Sequence, residues 1–550
     1  MSKAIIPTKV WRILQYLRHI QTTYQEQRAF NKLLQARAIH APSAFTLLPP
    51  QQLQNPNPLN STSAFLDPTS SVSKIRVLFY NDWGASWEAL EPIANALLTN
   101  PVFEIIVLAM PSRVTGARFY DLGASQSLRE FAAKVQCQVI MQRDLAIQHL
   151  AMPYLDTALA SSNAHRQNLL CIIGFDELGL ESMADLSGDR VFDVCYLSPC
   201  DCRAHYCFTT RPYNELRPEP WHSKRIALTS KLCYVEYGIH AFGLHEDEIC
   251  AYHSGYLRYY DYLFSPTAFH AAVAQSQQHG DSLLRIQVTG SARFEELIAY
   301  ATRDLDSSSP AVYTSSITST EQSCQESSHT NRARKLRVLY LPRWSPEDLH
   351  STFLHYMNPL LDLAKSGKIS LHFRPHPNLY DHLVHGGRFM TQAQWNELQN
   401  DIRQYGYWDE SHSILESFAR ADVLVSDTSS MLIYAFLSGK PTIYTQGSFK
   451  AELNSWALRV VQGCLIASSI DDLLGLLARF CDDYEATAAF RGRFWQEIVS
   501  QNFYLPESTS AGEILWHITK DYAYTIQQFH PLNDSTDKNV CVETTRVIAP

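Results

Sequence analysis

The sequence predicts an α/β protein of two domains, each built on a parallel sheet. Three observations carry that expectation. Short apolar runs of strand length (Ile75–Tyr80, Phe103–Ala109, Leu169–Ile173, Phe192–Tyr196, Leu232–Tyr237 and Arg285–Thr289) alternate with helical patterns such as Trp87–Leu98, which is the order parallel sheets produce. The alternation resumes at Lys335–Leu341, Ile369–Phe373, Ala421–Val425 and Pro441–Thr445. Between the halves, residues 302–330 hold 14 Ser or Thr in 29 positions, too polar a stretch to bury the surface that would offset its ordering. A chain of 550 residues is also longer than one core normally serves.

Taken in order, residues 1–40 carry Lys3, Lys9, Arg12, Arg18, Arg28, Lys32 and Arg37 against one acid, Glu26, a net charge of +6. Val10, Trp11, Leu14, Leu17 and Ile20 recur at helical spacing, so the segment reads as a basic amphipathic helix. Its apolar stripe suits either an anionic membrane surface or the chain's own domains. Residues 41–74, rich in Pro, Gln, Asn and Ser, read as a linker. Residues 75–300 form the first domain, 301–334 the second linker, and 335–530 the second domain. Phe494–Val499 and Gly512–Ile518 read as late helices, and 531–550 as a frayed tail.

Composition excludes several classes. The chain is 45% hydrophobic and 18% charged, as soluble globular proteins are, and its net charge of −9 argues against a nucleic-acid partner. Twelve scattered cysteines, with Cys171, Cys195 and Cys233 inside apolar runs, suit reduced thiols in a cytoplasm. No run reaches the eighteen apolar residues of a membrane span, and no signal peptide is recognisable. A cytoplasmic protein, peripheral on the inner face of the plasma membrane if the first helix docks there, is expected. Cys200, Cys202, His205 and Cys207 lie within eight residues, but no second pair follows at zinc-finger spacing, and they read as free cysteines in a loop. No metal or cofactor is called for, and there is no P-loop, Rossmann fingerprint or Ser-His-Asp signature.

The candidate chemistry lies in the second half. Ala421–Val425 runs into Ser426-Asp427-Thr428-Ser429-Ser430 and then into the apolar helix Met431–Leu437, stopped by Gly439. Free N–H groups and hydroxyls at that helix start suit an anion. Ile369–Phe373 runs into Arg374-Pro375-His376-Pro377, where two prolines stiffen the loop. Ligands bind at the C-terminal edge of open α/β sheets, so a guanidinium, an imidazole and a helix start share one rim there, a set suited to a diphosphate.

On the residues RPHP and SDTSSMLIYAFLSGKP, the chain resembles the CDP-glycerol:poly(glycerophosphate) glycerophosphotransferases, GT-B fold enzymes that build teichoic acids and related capsule polymers. Val288-Thr289-Gly290-Ser291-Ala292-Arg293-Phe294 is similar to the family's Gly-x-Pro-Arg-x-Asp segment. The resemblance spans residues 75–450 and is most specific in the last hundred. It implies a GT-B arrangement of two Rossmann-like domains facing across a cleft. Arg343, Arg374, His376, Asp427, Thr428, Ser429 and Ser430 would hold the donor, and Asp82, Trp83, Tyr237 and Arg293 would lie on the acceptor side. The family's Trp-His-Gly, whose His is taken as the base, is replaced by Glu236-Tyr237-Gly238. Tyrosine is a poor base near pH 7. Glu236, His240, His245 and Asp82 are the candidate replacements, Glu236 and His240 first, with His376 in the catalytic role on the donor side. Thr209-Thr210-Arg211-Pro212-Tyr213-Asn214 resembles an acceptor-side loop of capsule-type relatives.

The implied activity is transfer of glycerol phosphate, or a similar alditol phosphate, from a CDP-linked donor to a polyol or sugar-phosphate acceptor, lipid-linked acceptors included, with release of CMP. Protonated His376 and Arg374 would stabilise charge on the diphosphate. The same-fold alternative is a nucleotide-sugar glycosyltransferase or UDP-sugar epimerase. The alternative of another class is a non-catalytic nucleotide-binding or membrane-docking protein.

The charge of residues 1–40 generates a first prediction. The remainder of the chain carries about −15 (−9 minus +6), so attraction to anionic lipid must come from this segment. Basic residues contribute about 1 kcal/mol each at such a surface, screened within a Debye length. Full-length protein is expected to float with anionic liposomes at low salt and to detach as salt rises, while a chain starting at Ser73 stays behind. Equal flotation of both, or of neither, would assign the stripe to packing within the protein.

Overall fold

The computed structural model describes residues 74–113, 120–121, 123–142, 169–174, 197–242, 247–278, 283–306, 335–344, 351–385, 389–411, 413–446, 453–484 and 490–529. The expected N-terminal helix, the first linker, Phe192–Tyr196, His245, residues 307–334 and the C-terminal tail fall outside the described residues.

The first sheet contains β1 (Ile75–Asn81), β2 (Phe103–Ala109), β5 (Val139–Met141), β6 (Leu169–Gly174), β7 (Tyr206–Thr209), β8 (Lys231–Val235), β9 (Tyr262–Ser265) and β10 (Arg285–Val288). A two-stranded antiparallel ribbon, β3 (Ser112–Arg113) and β4 (Tyr120–Asp121), stands beside it. The second sheet contains β11 (Leu336–Leu341), β12 (Ile369–Phe373), β13 (Gly406–Trp408), β14 (Val423–Ser426), β15 (Thr442–Thr445) and β16 (Leu465–Ala467). Every pairing within the two sheets is parallel. The orders are β10-β9-β8-β7-β1-β2-β6-β5 and β13-β12-β11-β14-β15-β16. The fold class is therefore α/β with two Rossmann-like sheets.

Parallel strands need crossover helices on both faces, so both sides of each strand are buried. β1 shows this: Ile75, Val77 and Phe79 enter one core with the helix Trp87–Leu98, while Leu78 and Tyr80 enter the opposite core with Trp221 and Tyr252. The second sheet is covered in the same way. Leu339, Leu341 and Leu424 pack on the helix Ser430–Leu437, and Val338 and Tyr340 on the helices Phe353–Lys365 and Gln392–Tyr405. The last helix, Ser510–Phe529, returns to the first sheet, where Ala511, Ile514, Ile518 and Tyr522 join the core of Trp87. Conversely, Phe294, Leu297 and Ala301 of the helix Ala292–Asp306 pack into the core of the second sheet.

Several expectations are corrected. β5, β7, β9, β13 and β16 are strands that the sequence reading did not contain; they are three or four residues long, too short to show a pattern. The strand expected at Leu232–Tyr237 ends at Val235, so Glu236 and Tyr237 belong to the loop beyond it. The helix Ala292–Asp306 continues into the expected linker. Cys202 ends the short helix Pro199–Cys202 and Cys207 lies within β7, so this cluster is not a loop. Gly290 follows β10 with φ of +76°, and a Cβ there would stand 2.9 Å from the Tyr504 carbonyl oxygen. Only glycine makes that turn without strain.

The returning helix is tied down by charge as well as by its apolar face. Asp521 accepts from the Tyr206 hydroxyl at 2.7 Å and pairs with Lys231 and Arg285, each at 2.5 Å. Burial opposes the charge, but Lys231, Tyr206 and Arg285 outweigh it and hold the carboxyl below its ordinary range. Asp521→Ala is expected to cost about 1.5–3 kcal/mol at pH 7, toward the lower end because Lys231 and Arg285 are partly exposed. A depressed carboxyl stabilises above its unfolded pKa of about 3.9, and the contribution is lost as pH falls through the folded value. Unfolding curves of the two proteins should therefore converge in acid. Equal stability at pH 7 would leave the apolar face as the sole anchor.

Candidate active site

Each sheet has a place near its middle where the strand order reverses. In the first it lies between β1 and β7, in the second between β11 and β14. Ligands bind at such points, beyond the carboxyl ends of the strands. Asp82 and Trp83 follow β1, Arg211 follows β7, Arg343 follows β11, and Asp427 to Ser429 follow β14. The two points face each other. The Trp83 ring lies 4.9 Å from Tyr237, edge on, and 6.5 Å from His376 of the opposite sheet. The Trp344 ring also lies near His376, at 6.3 Å. Arg343 reaches over the Phe242 ring at 4.4 Å, again crossing between the halves.

On the second sheet, Asp427 is a tie between segments. Its carboxylate accepts from the backbone N–H groups of Arg343 and Thr352, each at 2.8 Å, and so pins the loop after β11 to the end of β14. Burial raises it to about 6, against the lowering effect of those bonds. The Arg343 guanidinium donates to the Thr428 carbonyl at 3.3 Å. Arg374 donates to the Ser411 carbonyl at 2.6 Å and the Ser417 hydroxyl at 2.7 Å, and stands 3.6 Å from Asp409. The hydroxyls at the helix start are mostly engaged. Thr428 bonds Tyr444 at 3.0 Å, Ser429 lies 3.4 Å from Ser426, and Ser430 donates to the Ile239 carbonyl at 2.8 Å. Ser430 therefore joins the two halves, and Ser429 is the N-cap without a side-chain capping bond. What the helix start offers an anion is its backbone N–H groups.

His376 is held by Asn378, whose N–H donates to Nδ1 at 3.1 Å. Burial, with Arg343 and His382 adding to it, lowers the imidazole to about 3. The protonated His376 expected from the sequence is thus neutral at pH 7 in these surroundings, and charging it requires an anion close by.

On the first sheet, Asp82 is 1% exposed and bound by Arg211 and Arg217, which leaves it unsuited to act as a free base. Glu236 accepts from the Tyr252 hydroxyl, and its other oxygen stands 3.8 Å from His240 Nε2. Burial pushes Glu236 up to about 8 and His240 down to about 4. A carboxyl poised near neutrality suits a general base better than an ordinary one. Arg293 pairs with Glu88 and lies over the Tyr434 ring at 5.4 Å, close enough to Arg374 for the two cations to repel. The structure thus brings Trp83, Tyr237, Arg343 and His376 together, with Glu236 and Arg293 lining one hollow, while Arg374 is turned to Ser411, Ser417 and Asp409. Arg217 and Tyr252 were not recognisable in the sequence, because nothing local marks a residue as the partner of Asp82 or Glu236. Beyond His376 a pocket of about 410 Å³ is lined by Tyr380, Trp395, Gln399 and Trp408. Among the described residues no cluster of His, Cys, Asp or Glu is arranged to hold a metal, and no helix is long and apolar enough to cross a membrane.

No family model matches the chain, and no curated protein matches it. Solved structures do. A UDP-N-acetylglucosamine 2-epimerase shares 10% identity over 82% of this chain and 97% of its own, with a TM-score of 0.42. The wall teichoic acid polymerase TagF shares 11% identity over 94% of this chain and 99% of its own, at 0.41. Anabaena HepE, in complex with UDP and glucose, shares 12% identity over 81% of this chain and 100% of its own, at 0.38. Likeness this distant assigns no activity, and the sheet orders and their switch points stand on the chain's own geometry.

Glu236 supplies the prediction of this site. Its pKa is raised from an unfolded value of about 4.3, so the folded chain keeps a proton that the unfolded chain releases. Stability contributed by that proton is present in acid and is lost as pH rises through the folded value. The wild type should lose stability between about pH 5 and pH 8 relative to Glu236→Gln, which has no proton to release. Parallel pH profiles in urea unfolding would place an ionised carboxylate there instead.

Proposed function

We propose that the chain is a transferase that moves glycerol phosphate, or a similar alditol phosphate, from a CDP-linked donor to a polyol or sugar-phosphate acceptor in cell-surface polymer synthesis. The observation that carries this reading is the meeting of the two switch points, with an anion-suited rim on the second sheet and a poised carboxyl on the first. The diphosphate of the donor lies at the start of the helix Ser430–Leu437, beside Arg343 and His376. An anion there would raise His376, which then donates to the departing phosphate. Glu236, once ionised and with His240 beside it, takes the proton from the acceptor hydroxyl as it attacks the β-phosphorus, and CMP leaves, so turnover rises with pH toward about 8. The cleft does its work through positioning and charge, as phosphoryl transfer requires. The six domain segments set out from the sequence belong to this proposal, the second half binding the donor and the first the acceptor.

The test uses full-length protein. CDP-glycerol is expected to raise the melting temperature and UDP-sugars are not; the reverse would favour the glycosyltransferase or epimerase reading. Product mass spectrometry with candidate acceptors then reads turnover. His376→Ala is expected to lose most turnover and keep the fold, at a cost of roughly 3–4 kcal/mol in the barrier. Near-normal turnover by that variant with CDP-glycerol would remove His376 from the mechanism.

A further inference from the structure

A buried carboxyl is oriented only by the groups that touch it, and Glu236 is bonded by one. Its side chain is 3% exposed. Oε1 accepts from the Tyr252 hydroxyl. Oε2 bonds to no protein group among the described residues and stands 3.8 Å from His240 Nε2, which is itself buried without a hydrogen-bond partner. The phenols of Tyr234, Tyr252 and Tyr434 are close enough for Glu236 to shift their titration. Arg293 lines the same hollow as Glu236 but is paired with Glu88.

Tyr252 is a fixed donor. It is fully buried and ends the short 3-10 turn Cys250–Tyr252, its N–H donating to the Ile249 carbonyl at 3.0 Å. Two glutamines just past the helix Ala268–Ser276 clamp this turn at both ends. The Gln277 amide donates to the Ile249 carbonyl and accepts from the Ile249 N–H, each at 3.0 Å. Gln278 donates to the Tyr252 carbonyl at 2.9 Å. The Tyr252 ring meets the His240 ring edge on at 5.5 Å and the His270 ring at 6.4 Å. Burial and the neighbouring Glu236 raise the phenol well above its ordinary value, so the hydroxyl keeps its proton and stays a donor.

We propose that Tyr252 is the positioning residue of Glu236: its hydroxyl takes Oε1, which leaves Oε2 as the oxygen that holds the proton at rest and receives one from the acceptor in turnover. A donor to one oxygen favours the ionised carboxylate, so Tyr252 offsets part of what burial does to Glu236. Removing the hydroxyl should raise Glu236 beyond its value of about 8. The part played in turnover rests on the reading of Glu236 as the base; the hold on its carboxyl does not.

Urea unfolding of the full chain across pH tests the hold without donor or acceptor. A raised carboxyl stabilises below its unfolded pKa, and the contribution is lost as pH rises through the folded value. Measured against the same protein carrying Glu236→Gln, wild type should decline up to about pH 8. Tyr252→Phe should decline for about one pH unit more, a tenfold change in ionisation and the equivalent of one charge-assisted hydrogen bond. Tyr256→Phe, which removes a hydroxyl bonded to Glu215 instead, should leave the decline where it is. Turnover of CDP-glycerol by Tyr252→Phe should fall about tenfold at pH 7 and recover as pH rises, whereas a packing defect lowers it equally at every pH. Tyr252→3-fluorotyrosine, a more acidic phenol of nearly the same shape, covers the case in which Tyr252→Phe does not fold, and should move the decline to lower pH. A flat wild-type profile, a decline that neither variant moves, or a turnover loss independent of pH would overturn the proposal. A decline that moves as expected in a protein that does not turn over CDP-glycerol would support the hold on Glu236 and count against the transferase reading.

Discussion

The relative placement of the two sheets depends on a short run of hydrogen bonds where the chain after β8 meets the helix Ser430–Leu437. Ser430 donates its hydroxyl to the Ile239 carbonyl, and Asn454 donates its side-chain N–H to the His240 carbonyl and its backbone N–H to the Ala241 carbonyl. Gly238 lies within this seam, where a Cβ would meet the Ser430 hydroxyl at 3.1 Å. Buried backbone carbonyls need partners, and these three find theirs on the other half of the molecule. Glu236 and Tyr237 sit at one end of the seam and the helix start at the other. The bonds that join the halves thus also set the spacing of the groups proposed to react.

The cleft combines two kinds of electrostatic environment. On the second sheet the cations are anchored by neutral acceptors and single carboxylates: Arg374 by Ser411, Ser417 and Asp409, and Arg343 by Thr428. Anchoring costs these side chains their rotamer freedom within the fold, so little more is lost when a ligand arrives. On the first sheet burial shifts the titration of two neighbouring groups, with Glu236 up to about 8 and His240 down to about 4. Opposite shifts in neighbouring groups follow from a single cause, because burial disfavours whichever form is charged. Perturbed groups cluster at functional sites, and here they face the rim that suits an anion.

Much of the fold was legible in the sequence for a simple reason. A parallel strand buried on both faces is a near-continuous apolar run, and Phe103–Ala109 and Ile369–Phe373 were read with the bounds they have in the structure. Val139–Met141 and Gly406–Trp408 were not, since three residues carry no periodicity and their place in the sheets is set by neighbours far along the chain. The loops after Phe373 and Ser426 were legible because proline, aspartate and serine punctuate them chemically.

The sequence by itself determined the α/β class, the two sheets and the identity of the loops at their carboxyl ends, because these follow from local pattern and turn chemistry. Only the tertiary structure decided how the groups on those loops are used. Ser430, expected to offer its hydroxyl to an anion, spends it on Ile239, 191 residues away. Asp82, a candidate base, is bound by Arg211 and Arg217, 129 and 135 positions along the chain. His376 is neutral because the Trp83 and Trp344 rings and the Arg343 guanidinium close around it. Burial, partner and protonation state are properties of neighbours in space, and a linear pattern does not contain them.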